Sequence, residues 1–200
     1  MTRLGILLSG RGSNFQAIHR AIERGELAAE IACVISNVPD AAGLAYAQDH
    51  GLAHFALNSK GIQRADFDRQ VIAILEQSRV DLICLAGYMR LLSKDFIAAY
   101  AGKILNIHPS LLPSFPGLHA QQQAFAYGVK ITGCTVHYVD EGLDTGPIIA
   151  QAPVEVLEDD TEDTLSARIL EQEHRLYPAA IQAVITRTAA AKRSMSSSSL

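Results

Sequence analysis

The sequence predicts an α/β protein: an open, mostly parallel Rossmann-like sheet flanked by helices, with an antiparallel C-terminal extension. Two patterns predict it. Short apolar runs alternate with helix-like segments over residues 3–107, the order that builds a parallel sheet. Two later strand-like stretches, 131–139 and 147–156, are joined by an acidic, glycine-rich turn and are close enough to pair antiparallel. A chain of 200 residues with 48% hydrophobic content can bury one sizeable core. A single domain over residues 1–190 is therefore expected, with 191–200 as a disordered tail.

Taken in order, residues 3–8 read as a buried strand, followed by the turn Gly10-Arg11-Gly12-Ser13-Asn14 and an amphipathic helix over 14–23. The alternation continues with strand 30–36, helix 41–50, a short strand near 53–57, helix 65–78 and strand 80–86. Strand 103–107 delivers His108 at its carboxyl end, where open parallel sheets hold their ligands. Residues 109–118 carry three prolines, two serines and a glycine and read as a loop, before a helix over 119–127. A final helix begins at Thr161, with Glu162 and Asp163 in its first turn, and is interrupted or kinked near Pro178.

Composition excludes several classes. No stretch is long and apolar enough for a membrane span, and no signal-peptide pattern follows Arg3, so a cytoplasmic protein is expected. Cys33, Cys84 and Cys134 are far apart and form no CxxC pair, which favours buried thiols over disulfides or zinc. A net charge of −4 argues against broad nucleic-acid binding.

Four segments carry candidate chemistry. Ser9-Gly10-Arg11-Gly12-Ser13-Asn14 lies between strand and helix, where backbone N–H groups and the helix dipole attract a phosphate and glycine permits close approach. Phe15 stands where a dinucleotide fingerprint needs its third glycine, and no triphosphate-loop lysine is present, so a single sugar phosphate fits better. The competing reading is a plain tight turn with Ser13 or Asn14 as helix cap.

His108 alone has many structural uses, but Asn106 projects to the same face of an extended strand, so amide and imidazolium can converge on one carbonyl oxygen. Asp144 can accept from the other imidazole nitrogen and favour the protonated ring; a turn-forming role competes, given Asp140, Glu141 and the nearby glycines. Gly87-Tyr88-Met89-Arg90-Leu91-Leu92 opens at the same sheet edge, with apolar side chains suited either to a flat ring or to ordinary core. Serine-hydrolase chemistry at Ser110 lacks the GxSxG elbow, and a metal site among His108, His119 and His137 lacks the usual spacing.

Four blocks, SGRGSN at 9–14, LAGYMRLLS at 85–93, NIHPSLLP…PGLHA at 106–120 and DEGLDTGPII at 140–149, resemble the folate-dependent glycinamide ribonucleotide transformylase family over residues 3–186. The second and third blocks are shared with methionyl-tRNA formyltransferases and formyltetrahydrofolate deformylases; the first points to the ribonucleotide. The tRNA enzymes look like this domain plus a C-terminal nucleic-acid-binding domain, and the deformylases carry an N-terminal regulatory domain. Neither extension is expected here.

The resemblance implies the formyltransferase fold and transfer of the formyl group of 10-formyltetrahydrofolate, a co-substrate, to the amine of N1-(5-phosphoribosyl)glycinamide in de novo purine biosynthesis, without a metal. The products are N-formylglycinamide ribonucleotide and tetrahydrofolate. Asn106, His108 and Asp144 would be catalytic; Gly12, Ser13 and Asn14 would hold the phosphate, and Glu173 the ribonucleotide. The folate would contact Arg64, Met89, Arg90, Leu91, Leu92, Asn106, Asp140 and Asp144, with Arg64 and Arg90 as charge partners for its glutamate. Arg11 would add attraction for the phosphate, while Ser114 and Gln121 depart from residues common in relatives and touch loop mobility and affinity more than chemistry. The alternatives are a formyltetrahydrofolate hydrolase and a silent sugar-phosphate binder. A monomer or weak homodimer with small-molecule substrates, and neither nucleic-acid nor membrane partners, is expected.

Overall fold

The structure, a computed structural model, describes residues 1–197. The chain forms β1 (Thr2–Leu8), α1 (Ser13–Glu23), β2 (Ala29–Ser36), α2 (Ala42–Asp49), β3 (His54–Ala56), α3 (Arg64–Gln77), β4 (Leu82–Leu85), α4 (Lys94–Ala99), β5 (Ile104–His108), α5 (Ala120–Tyr127), β6 (Ile131–Tyr138), β7 (Ile148–Glu155) and α6 (Glu162–Ser197). The seven strands make one sheet in the order β3-β2-β1-β4-β5-β6-β7. The first five are parallel, and β6 and β7 extend the sheet antiparallel, as the sequence predicts.

The continuous apolar runs of β1 and β4 follow from burial on both faces. Period-two alternation sends Leu4, Ile6 and Leu8 to one core, with Phe15 and Ile18 of α1 and Tyr177 and Ile181 of α6. Leu7 faces a second core with Phe67, Val71 and Leu75 of α3 and Phe96 of α4. Gly5 leaves room for α3, since a Cβ there would come 2.7 Å from a Leu75 methyl and 3.0 Å from one of Val80, and those side chains would have to shift.

The chain moves outward from β1 through β2 to β3, then returns to β4 on the other side of β1. That reversal leaves a crevice at the carboxyl ends of β1 and β4, where doubly wound sheets bind ligands. The Ser9–Asn14 loop, the Gly87–Leu92 segment and the end of β5 all open there.

Three features differ from the sequence reading. Helix α4 is too short for its periodicity to stand out; Ser93 caps it by accepting from the Phe96 N–H at 3.3 Å, and Phe96 anchors it in the core. Of the interruption or kink expected at Pro178, the interruption does not occur: helix α6 continues through it, held by Tyr177, Ala180, Ile181 and Val184 in the core. It also runs to Ser197, so residues 191–197 are helical where a disordered tail was expected: Ala189, Ala190 and Ala191 favour helix, and neither glycine nor proline follows to stop it. Residues 198–200 of that expected tail lie outside the described residues.

The fully buried Tyr177 hydroxyl lies 3.0 Å from the carbonyls of both Leu85 and Leu105, so α6 ties the end of β4 to the start of β5. Tyr177→Phe is expected to lower unfolding free energy by about 1–3 kcal/mol, because two buried carbonyls lose their shared donor; urea denaturation checks it.

Candidate active site

The register of β5 against β6 builds the centre of the site. Asn106 pairs across the ladder with His137, and His108 with Thr135, so residues of two strands share one face. His108 is buried, and both of its ring nitrogens face acceptors: Nδ1 lies 3.4 Å from Asp144 Oδ2, and Nε2 lies 2.8 Å from the Phe115 carbonyl. That pattern suits an imidazolium, which donates from both nitrogens.

His137 is a neighbour whose role the sequence reading missed, having weighed it only as a metal ligand. Its Nδ1 lies 2.9 Å from the Tyr138 carbonyl and must carry the hydrogen, so in the neutral ring Nε2 is an acceptor. Burial lowers its pKa, and the charge of His108 reinforces this against the raising effects of the Tyr138 carbonyl and Asp144. Asn106 Nδ2 lies 3.2 Å from that Nε2 and donates to it, which fixes the amide's orientation and leaves its second N–H for another acceptor. Only the antiparallel register reveals this neighbour, and the register is not written in local sequence.

Asp144 sits at the tip of the β6–β7 connection with φ of 55°, a left-handed conformation that aspartate tolerates better than most residues. Its Oδ2 also accepts from the Gly117 N–H at 2.8 Å. Residues 115–117 are thus tied to the His108–Asp144 pair at two points. Asp140 has the turn-forming role: its Oδ1 accepts from the Gly142 N–H at 3.0 Å and the Thr145 hydroxyl at 2.8 Å. Ser110 is fully buried, and its hydroxyl donates to the Ser114 carbonyl at 2.5 Å, an arrangement that offers no activated nucleophile.

At the switch point, Ser9–Asn14 with Ala86, Gly87 and Met89 encloses a cleft of about 230 Å³. Gly12 is left-handed (φ 67°) at the start of α1, and no side chain caps that end, so neither Ser13 nor Asn14 acts as the cap. The backbone N–H groups of the first turn remain for an anion. Asn14 instead donates from Nδ2 to Glu173 Oε2 at 2.7 Å, both side chains being buried. Burial raises the Glu173 carboxyl pKa, with the Asn14 hydrogen bond opposing.

The 87–92 segment alternates: Tyr88, Arg90 and Leu92 are half-buried, while Met89 and Leu91 are 70% and 59% exposed. Arg90 turns inward, its Nη2 donating to the Ile62 carbonyl at 3.1 Å and its guanidinium lying 4.6 Å from the Phe67 ring centre. Arg64, exposed at the start of α3, is not drawn in this way. No cluster of three or more His, Cys, Asp or Glu side chains that could hold a metal occurs among the described residues, and no described helix is long and apolar enough to cross a membrane.

This chain belongs to the formyl transferase family, whose pattern residues 2–181 match. Within it, the chain is 45% identical to the phosphoribosylglycinamide formyltransferase of Bacillus subtilis over 92% of its own length and 95% of that protein. It is 46% identical to the trifunctional purine biosynthetic protein adenosine-3 of Homo sapiens over 93% of its length, but spans only 18% of that much longer protein. The solved phosphoribosylglycinamide formyltransferase from Bacillus halodurans superposes with a TM-score of 0.90 at 44% identity, covering 94% of this chain and 97% of that one. A formyltetrahydrofolate deformylase from Pseudomonas syringae pv. tomato shares the fold (TM-score 0.87) at 28% identity, and the chain spans 62% of it.

The buried polar pairs have measurable consequences. His137→Phe deprives Asn106 of its acceptor and should lower kcat by roughly 10- to 100-fold with little change in KM, as steady-state kinetics would show. Because burial raises the Glu173 pKa in the folded state, stability is lost as pH rises above the ordinary value of 4.5 through the raised one. Glu173→Gln should therefore melt at a higher temperature than wild type near neutral pH, the gap narrowing toward pH ~4; calorimetry across that range checks the sign.

Proposed function

We propose that this formyltransferase moves the formyl group of 10-formyltetrahydrofolate to the primary amine of N1-(5-phosphoribosyl)glycinamide, giving N-formylglycinamide ribonucleotide and tetrahydrofolate. The observation that carries this reading is the convergence of Asn106, His108 and Asp144 at the same sheet edge as an uncapped, glycine-rich helix start. The first set is suited to an acyl oxyanion and the second to a sugar phosphate.

In this reading the amine attacks the formyl carbon, and negative charge develops on the formyl oxygen. The free N–H of Asn106 and Nε2–H of protonated His108 stabilise it. Nε2 is held by the Phe115 carbonyl, so that carbonyl must give way before the imidazolium can donate to the substrate. The intermediate collapses as the bond from carbon to N10 breaks; the amine loses a proton, N10 gains one, and His108 relays it. Asp144 keeps the ring charged and oriented, and His137, neutral, keeps the amide turned. The phosphate lies on Gly12, Ser13 and Asn14, with Arg11 adding charge, and Glu173 contacts the ribonucleotide. The folate ring lies against Met89, Leu91, Leu92 and the backbone at Arg90 and Asp140–Asp144, with Arg64 the stronger candidate for its glutamate because Arg90 is turned inward.

Residues 1–190 act as one catalytic domain, cytoplasmic, monomeric or weakly dimeric, without a metal, nucleic acid or membrane partner. A hydrolase releasing formate from the same folate is the weaker alternative, since water needs no phosphate cradle.

Spectroscopic tetrahydrofolate formation tests the reading. Turnover that requires the ribonucleotide is expected, and equal turnover without it would move the protein to the hydrolases. His108→Ala should lose roughly 10²- to 10⁴-fold in kcat while remaining folded by circular dichroism; near-normal turnover would overturn the mechanism.

A further inference from the structure

One buried polar group lies beside the site without entering the chemistry. Asp68 is 1% exposed on the apolar stripe of α3, between Phe67 and Val71 in sequence and beneath the 87–93 segment. A buried carboxylate is retained only with partners. Its Oδ2 accepts from the Ser93 N–H at 2.6 Å, at the C-terminal end of that segment. Its Oδ1 is buried and unpartnered, as are the Tyr88 hydroxyl and Arg90 Nε. These atoms are complementary, because Oδ1 can only accept while the hydroxyl and Nε–H can donate. They also lie within electrostatic reach: burial pushes the Tyr88 hydroxyl well above its usual range, the charge of Asp68 adds to that and the charge of Arg90 opposes it. On its other side the segment is tied by the Met89 N–H donating to Ser9 Oγ at 2.8 Å, and Ser9 belongs to the phosphate loop.

We propose that Asp68, Tyr88 and Arg90 are positioning residues: they share a buried hydrogen-bond network, completed by an internal water, that fixes the outward presentation of Met89 and Leu91 and the backbone between them as the wall for the folate ring. The alternation of the segment is what makes this work. Each inward side chain, anchored at Tyr88 or Arg90, turns the following residue outward, while Ser93 pins the exit. A water held among these three buried atoms would have one acceptor and two donors, enough partners to be retained. The side chains of the network touch neither substrate, so their effect is felt as geometry of the folate wall alone. This inference rests on reading that wall as the folate site.

Steady-state kinetics of Tyr88→Phe, Asp68→Asn and the double variant Met89→Ala/Leu91→Ala, with both substrates varied, tests it. Tyr88→Phe and Asp68→Asn are near-isosteric, and the amide oxygen introduced by Asp68→Asn can still accept from Ser93. Each is expected to raise KM for 10-formyltetrahydrofolate roughly five- to tenfold, the loss of one buried hydrogen bond expressed at the wall. The value of kcat and KM for the ribonucleotide should stay within about twofold. If the double variant raises the folate KM while Tyr88→Phe and Asp68→Asn leave it unchanged, the network inference is overturned and the wall stands. If none of the three changes it, the wall reading fails and takes the inference with it. A parallel decay of kcat, both KM values and melting temperature would reduce Asp68 and Tyr88 to general structural roles and also overturn the proposal.

Discussion

The antiparallel ladder between β5 and β6 is the constraint on which the site depends. It sets Leu105 opposite Tyr138, Asn106 opposite His137, Ile107 opposite Val136 and His108 opposite Thr135. Strand side chains alternate, so a slip of one residue would turn Asn106 and His108 into the core and Ile107 into the cleft. Leu105, Ile107 and Val136 pack in the core on the other face and penalise that slip. The same register sets the loop that follows: Thr135 Oγ1 donates to the Ser110 carbonyl at 2.7 Å and accepts from the Leu112 N–H at 3.0 Å. The course of the 109–118 segment, and with it the Phe115 carbonyl over His108, is thus tied to the strand pairing.

The turn after β6 divides labour among its acids. Asp140 closes the turn, and Gly146 lets it pass beneath β6, because a Cβ there would meet the Tyr138 carbonyl at 1.8 Å. With the turn held by those two residues, Asp144 is free to extend its carboxylate to His108 and Gly117 from a left-handed backbone. The strain of that backbone is borne by surrounding contacts, which is where functional sites commonly store it.

Much of this was legible in the sequence. Alternating apolar runs gave the parallel half of the sheet, and the 131–139 and 147–156 stretches gave the antiparallel edge, because both signals are local and periodic. Asn106 and His108 could be placed together from strand period alone. His137 could not, since its proximity to Asn106 depends on which residues of two strands face each other. Arg90 is expected from sequence as a charge partner for the folate glutamate, because sequence does not show that the 87–92 segment alternates inward and outward. Helix α4 is too short to register, and the expected disordered tail gives way to helix as far as Ser197 because the alanines at 189–191 extend α6.

Two histidines share one carboxylate here, and their different surroundings give them different roles. Asp144 turns Oδ2 toward His108 at 3.4 Å and Oδ1 toward His137 at 3.7 Å. Burial lowers the pKa of His137, and the charge of His108 adds to that. The backbone surrounds the two rings differently. Tyr138 supplies His137 with an acceptor at Nδ1 while Asn106 supplies a donor at Nε2, and a neutral ring satisfies both. Around His108 both partners are acceptors, Asp144 and the Phe115 carbonyl, a set complementary to a ring that donates from both nitrogens. The same carboxylate thus faces two rings with different surroundings: His108 meets acceptors at both nitrogens, and His137 meets an acceptor on one side and the Asn106 amide on the other.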